Sequence, residues 1–477
     1  MKVQRLLAIA ASVTTMGSLG VAVAAVQPAH AGPSSSARAA AAALDSIKVQ
    51  PNFIKFRGGP MSAPPTTAEC RQVVQVPCYS PLQIENAYGT PSLYSNGVTG
   101  AGQTIAIVDS YGSPTIRQDL AAFDKAYGLP APPSFKIIQP AGKVPPYDGS
   151  ALRSNWAGET SLDVEYSHAM APGAHILLVE TPTAETEGAG GFPQIVKAEE
   201  YVIKHHLADV ITQSFGATEQ TFASAQIISR LRAPYEMAAA AGITVLASTA
   251  DDGATNVDHS GNAYYTHPVV AWPSTDPLVT AVGGTQLHLN ASGQHTSPDT
   301  VWNDSYNKET QEYIYGDAGP NPLGTGGGKS VIFARPSYQK GVASITGYHR
   351  GVPDISMSAA CNGNVIVRLS FAPVPAGFYS VCGTSEASPE FSGIVALADQ
   401  MAGHQLGLIN PALYAMSAAH DPGIVDVTSG NNNVSFTQNG QRVNVKGYSA
   451  TTGYDLATGV GTVWAPDFVP ELAHQAG

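Results

Sequence analysis

Three groups of residues in this sequence have types and spacings suited to acyl transfer. The first is Gly383-Thr384-Ser385-Glu386-Ala387-Ser388-Pro389, which follows an apolar run with small residues, Phe371 to Val381. It opens a segment, Phe391 to Met401, whose apolar residues recur at helical spacing. Glycine and two hydroxyl residues at a strand-to-helix junction suit a tight turn and a capped helix start. A serine there aims its hydroxyl at the positive end of the helix, where developing negative charge is stabilised. Ser385 is thus a candidate nucleophile if the chain supplies a base, although an ordinary N-cap has the same composition.

The second group is Glu159-Thr160-Ser161-Leu162-Asp163. Its two carboxylates stand four apart in a segment of helical spacing and so share one face. Like charges disfavour double ionisation, so the pair holds a shared proton. Such a pair accepts a serine proton in acid, where a histidine is already charged. A solvated acidic face is the plainer alternative. The third group is Asp251, in Ser248-Thr249-Ala250-Asp251-Asp252-Gly253 just beyond the apolar run Val245 to Ala247. A protonated carboxyl at a strand end donates a hydrogen bond to an oxyanion, whereas a simple Asp-Asp-Gly turn needs no chemistry.

The elements that must position these residues alternate along the chain. Strands are expected at 103–109, 135–139, 174–180, 209–215 and 243–248, with helical patterns at 116–127, 155–170, 193–206 and 224–241. This alternation predicts a parallel sheet covered by helices on both faces, with sites outside the carboxyl ends of the strands. Thr285 to Leu289 and the turn Asn290-Ala291-Ser292-Gly293 suggest a hairpin.

The chain has 477 residues, 43% hydrophobic and only 13% charged, and its 24 basic against 36 acidic residues give −12. A negative surface excludes nucleic acid and anionic membranes as partners. Residues 1–31 read as a secretory signal: Lys2 and Arg5, then the mostly apolar Leu6 to Val26, then Ala29-His30-Ala31. Residues 32–69 form a low-complexity leader or prosegment, and 70–477 form the folded body of a secreted, extracellular protein. Four cysteines in an exported chain mean disulfides. Three pairings exist, and proximity favours Cys70 with Cys78 and Cys361 with Cys382. Asn290, Asn303 and Asn433 open N-x-S/T glycosylation sequences.

Taken in order, these residues resemble the sedolisins, serine-carboxyl peptidases on a subtilisin-like fold, over roughly residues 80–470. Between the three groups stand further landmarks of that family: Ser214-Phe215-Gly216, Trp272-Pro273-Ser274 leading to Val282-Gly283-Gly284-Thr285, and Gly326-Gly327-Gly328-Lys329-Ser330 leading to Pro336-Ser337-Tyr338-Gln339. Arg350-Gly351-Val352-Pro353-Asp354-Ile355-Ser356 follows. The resemblance implies an α/β fold of three layers with a mainly parallel central sheet. It implies that Ser385 attacks the peptide carbonyl, Glu159 is its base, Asp163 orients Glu159 and Asp251 stabilises the oxyanion. It also implies one structural calcium ion held by Asp426, Val427, Thr451, Gly453 and Asp455, and two carboxylates with backbone carbonyls are the hard oxygen ligands calcium takes. Three departures stand out: Ala250 where the family has glycine, Glu386 where it has a small residue, and a short leader where it has a long prosegment.

The function expected is that of a monomeric secreted serine-type endopeptidase or tripeptidyl-peptidase acting on proteins or peptides, with an optimum on the order of pH 3–5. Two other functions compete. Asp109 ends a strand as the aspartate of a subtilisin triad does, so a neutral Ser-His-Asp peptidase would need His168 or His175. Neither histidine has the glycine and threonine neighbours of the subtilisin motif. Glu386 and Ala250 leave open a catalytically impaired binding protein on the same fold.

Overall fold

The computed structural model describes residues 53–54, 60–258, 262–315 and 321–476. The signal segment 1–31 and most of the leader lie outside the described residues. From the leader, β1 (Phe53–Ile54) and the start of α1 (Thr67–Val73) are described, the helix opening with a capping box between Thr66 and Glu69.

Eight strands form the central sheet. β3 (Thr104–Ser110), β4 (Phe135–Ile138), β5 (His175–Thr181), β6 (Val210–Gln213), β7 (Thr244–Ser248), β8 (Thr280–Gln286) and β9 (Thr300–Val301) lie in the order β9-β8-β7-β6-β3-β5-β4. β10 (Ile355–Ser358) pairs in parallel with β8, and only β9 is antiparallel. The first five of these strands fall where the sequence predicts. β8 and β10 escape prediction because β8 contains Gly283-Gly284 and β10 has only four residues, so local β-propensity is weak. The hairpin expected beyond β8 is present as a bridge between Leu289 and His295, closed by the Asn290 amide on the Gln294 carbonyl.

Alternate residues of β3 feed different cores. Ile105 and Ile107 join Leu162, Phe391 and Leu397 on one face, while Ala106 and Val108 join Phe192, Ile195 and Val202 on the other. Both faces are therefore dry, which explains why the strands read as continuous apolar runs. Each of the large side chains contributes roughly 1.5–3 kcal/mol relative to exposure. The covering helices include α3 (Ile116–Tyr127), α4 (Ala151–Met170) and α5 (Phe192–Lys204). α4 starts earlier than its apolar spacing predicts because Ser150 caps it, accepting the Arg153 amide. The helical stretch expected at 224–241 divides into Ala225–Leu231 and Ala233–Ala241, since Pro234 has no amide to continue the ladder.

A second sheet of four strands joins β1, β12 (Gly377–Val381), β11 (Asn364–Leu369) and β2 (Cys78–Tyr79) in that order. β12 leads through Cys382 and Gly383 into α8 (Thr384–Ala402), which is buried from Thr384 to Asp399. α8 crosses α4 closely. A Cβ on Gly393 would lie 2.4 Å from the Met170 Cβ, so only glycine permits the crossing. The hydroxyls of Ser167 and Ser392 meet at 3.1 Å in the same seam. Both cysteine pairs form as proximity suggests, Cys70 with Cys78 and Cys361 with Cys382.

Candidate active site

Ser385 occupies the first turn of α8 and keeps 8% of its surface exposed, while Glu159 and Asp163 keep none. The helix start is not capped by its own hydroxyl residues. Gly383 takes the N-cap position with φ of 138°, a conformation that favours glycine, and offers no side chain. The cap comes from Asp251 instead: its Oδ1 accepts the Thr384 amide at 2.7 Å and the Thr384 hydroxyl at 2.8 Å. A Cβ on Gly383 would lie 2.5 Å from Asp251 Oδ2, so the glycine is what lets this carboxyl reach the turn that carries Ser385.

Glu159 and Asp163 project from α4 into the interior and have no exposed surface, which rules out a solvated acidic face. The Ser214 hydroxyl, beyond the end of β6, donates to Asp163 Oδ1 at 3.0 Å and faces the Ser385 carbonyl at 3.4 Å. Burial pushes the Glu159 carboxyl well above the usual range, and Asp109 and Asp251 push it the same way. The Ser385 hydroxyl acts in the opposite direction, favouring the charged form of Glu159, although neither Glu159 oxygen closes a hydrogen bond. Burial likewise raises Asp163, helped by repulsion from Asp109 and Glu159. Asp109, at the end of β3, is pushed up to about 7, chiefly by burial, and both its oxygens lack partners. The predicted pair is thus a trio. The acidic end of β3 was legible in the sequence, but only as a triad aspartate; nothing local shows that it faces α4.

Around Asp251 the backbone is unusual. Ala250, which stands where the resemblance expects glycine, has φ of 83°, the left-handed conformation that glycine adopts freely. The alanine thus occupies a backbone conformation that a glycine would adopt without strain. Burial raises the neighbouring Asp252 well above its usual range, as does repulsion from Asp251 and Glu187.

The two histidines considered for a neutral triad lie elsewhere. His168 Nε2 is 2.8 Å from the Pro130 carbonyl, and burial lowers its pKa to about 4. His175 pairs with Thr104 at the opposite end of the β3–β5 ladder from Asp109. Neither of the two histidines considered can therefore serve Ser385 as a base.

The residues expected to hold calcium adjoin one another. The Gly453 amide donates to Asp426 Oδ2 at 2.8 Å, and the Thr451 amide donates to Asp455 Oδ2 at 3.0 Å. Asp455 is buried and also accepts the amides of Ala457 and Thr458. Among the described residues no group of three or more His, Cys, Asp or Glu side chains could hold a metal ion. A cation here would rest on two carboxylates and on carbonyls such as that of Val427, an all-oxygen set that suits calcium.

A mainly parallel sheet with a buried central helix that starts at a serine beside paired carboxyls defines a class. The chain belongs to the subtilase family, whose model matches residues 151–443, and within it to the sedolisins. It is 32% identical over 394 residues to kumamolisin of Bacillus sp. (strain MN-32), covering 80% of this chain and 62% of that protein. It is 30% identical over 378 residues to sedolisin of Pseudomonas sp. (strain 101), covering 78% of this chain and 58% of that one. The chain thus spans about three-fifths of the length of these relatives, 62% and 58%. The solved structure of Pseudomonas sedolisin, a serine-carboxyl proteinase complexed with two molecules of pseudo-iodotyrostatin, superposes with a TM-score of 0.69 at 27% identity. That match covers 84% of this chain and 100% of the other. No helix among the described residues is long and apolar enough to cross a membrane.

Proposed function

We propose that this protein is a secreted serine-carboxyl peptidase that hydrolyses peptide bonds of proteins or peptides on the acid side of neutrality. The observation that carries this reading is the Ser385 hydroxyl beside a buried carboxyl trio, with Asp251 bound to the same helical turn and neither His168 nor His175 placed to act as its base. Glu159 takes the Ser385 proton as Oγ bonds to the scissile carbonyl carbon. The carbonyl electron pair moves to oxygen, where the protonated Asp251 carboxyl donates a hydrogen bond. The amine leaves with the proton held by Glu159, and water, deprotonated by the same group, then releases the acid from the Ser385 ester. Asp163 and Asp109 share the charge that Glu159 must carry and fix its orientation.

A single calcium ion held by Asp426, Val427, Thr451, Gly453 and Asp455 serves the fold rather than the chemistry, since it would lie on polar C-terminal loops. Its binding to the folded chain alone raises stability. Human tripeptidyl-peptidase 1, 30% identical over 330 residues, brings amino-terminal tripeptide release into question beside endopeptidase action.

The decisive experiment is casein digestion in acid and at neutral pH by the wild type and by Ser385→Ala. Acid digestion that disappears in the variant supports the reading. Digestion that peaks at neutral pH, or survives in Ser385→Ala, overturns it, and absence of digestion at both pH values favours a binding protein. Peptides with free and blocked amino ends separate tripeptide release from internal cleavage.

A further inference from the structure

Immediately after Ser385 and one turn further on, α8 carries a second carboxyl pair that the reaction above does not use. Glu386 and Glu390 stand four residues apart with no exposed surface, and none of their four carboxyl oxygens has a hydrogen-bond partner. The groups that act on them come from β10, α4, a helix before β3 and the loop after β7. Ser358, at the end of β10, sets its hydroxyl beside Glu386 and so favours the charged form, although neither side chain closes a hydrogen bond. Tyr88, ending the helix Pro81–Tyr88 (α2), and Tyr166 on α4 feel both charges, and Asp251 approaches Glu386 from the loop after β7. Among the described residues no lysine, arginine or histidine acts on either carboxyl. A carboxylate buried without a partner costs several kcal/mol, so the pair stays in place by keeping its protons.

The same neighbours seat the start of α8. The Ala359 carbonyl, next to Ser358, accepts the Gly383 amide at 2.9 Å, and the Ser358 amide donates to the Tyr88 hydroxyl at 2.6 Å. A charge on the pair would be buried against the groups that hold Gly383, and through it Ser385.

We propose that Glu386 and Glu390 are positioning residues: protonated, they seat the first turn of α8 and Ser385 against β10 and α2, and on ionising they release it. The sign follows from burial, which raises both carboxyls, with Asp251 raising Glu386 and Glu386 raising Glu390 further. Protons leave as pH rises, so the seat is closed in acid and opens toward alkaline pH. The catalytic consequence rests on Ser385 being the nucleophile; the conformational one does not.

Amide hydrogen exchange over residues 383–390 tests the proposal, measured at about pH 4 and about pH 8 and corrected for intrinsic rates, well below and above ordinary carboxyl values. The proteins compared are wild type, Glu386→Gln, Glu390→Gln, the double variant and Glu199→Gln. The last is a control, because Glu199 on α5 is equally buried and has both oxygens unpartnered. Wild type should lose protection in this segment at the higher pH while β3 and β6 keep theirs. The loss should reach about tenfold for each pH unit beyond the point where the pair ionises. The double variant should keep its protection, and it should retain more acid-assayed activity after incubation at about pH 8. Glu199→Gln should exchange at 383–390 as wild type does.

Equal protection at both pH values in wild type would overturn the proposal, as would a double variant that opens as wild type does. If the double variant does not fold at acid pH, the two single variants decide by the same comparison. If Ser385→Ala proves active, the catalytic reading fails, while exchange measured on that variant still decides whether the seat opens.

Discussion

Ala250 holds φ of 83° between the last residues after β7 and Asp251, a conformation in which an L-residue's Cβ crowds the following carbonyl. Ala250→Gly should therefore raise stability by up to about 1 kcal/mol in urea titration, the strain relieved exceeding the chain entropy glycine adds. A loss of stability would mean that the Ala250 methyl contributes packing that outweighs its backbone strain. Beside it, Asp251 and Asp252 are adjacent acids with different partners: Asp251 binds the Thr384 turn, and Asp252 faces Glu187. Asp251→Asn keeps a hydrogen-bond donor without a titrating proton, so it should move the alkaline limb of kcat/KM upward. A limb that moves only in Asp252→Asn would assign the oxyanion role to the wrong neighbour. On the proposed reading the acid limb belongs to the trio. Asp109 raises both Glu159 and Asp163 by like charge, so Asp109→Asn should lower their pKa values and move the acid limb down. An acid limb that stays in place in that variant would separate Asp109 from the base.

At the level of elements, the site depends on two helices crossing at short range. α4 brings Glu159 and Asp163, α8 brings Ser385, and the absent side chain of Gly393 lets them meet. Gly393→Ala forces a methyl into the Met170 side chain and should destabilise by about 2 kcal/mol, with activity falling faster than stability because the catalytic groups separate. Urea titration and kcat together check this, and unchanged kcat in a folded variant would show that the seam does not set the geometry. The Cys361–Cys382 disulfide fastens the strand that enters α8 to the end of β10, with a sequence separation of 21. Its removal by paired alanines should cost about 3 kcal/mol on the chain-entropy account. Helix positions were readable where caps and period agree, as at Ile116–Tyr127. They were not where a side-chain cap extended the helix, at Ser150, or where the cap came from across the fold, as Asp251 does for α8.

Across the whole molecule, buried carboxyls with raised pKa values are a common feature. Burial pushes Glu85 and Asp399 to about 8 and Asp109, Asp124 and Glu187 to about 7. Unfolded, such groups titrate near 4. Between the two values the folded chain binds more protons than the unfolded one, so unfolding free energy falls as pH rises. The melting temperature should thus be highest in acid and decline through neutrality, and a melting curve that rises from acid to neutral pH would contradict this burial pattern. Calcium should act independently of it: Asp455→Ala, or chelator on the wild type, should lower the melting temperature, and identical curves with and without chelator would count against the ion.

The sequence by itself determined the alternation of strands and helices and the parallel sheet, because period and turn chemistry are local, and its ordered motifs made Ser385, Glu159, Asp163 and Asp251 the candidates for the site. Cysteine proximity was local too, and both pairings followed from it. Tertiary structure alone decided that the Glu159 face is dry, that Asp109 joins it, that Ser214 bridges Asp163 toward Ser385, and that Asp251 caps the nucleophile's helix. It also decided that Glu386 and Glu390 are buried without partners. These are contacts between segments tens to hundreds of residues apart. Whether a carboxyl is solvated or desolvated depends on what the rest of the chain lays over it, and no local pattern carries that information.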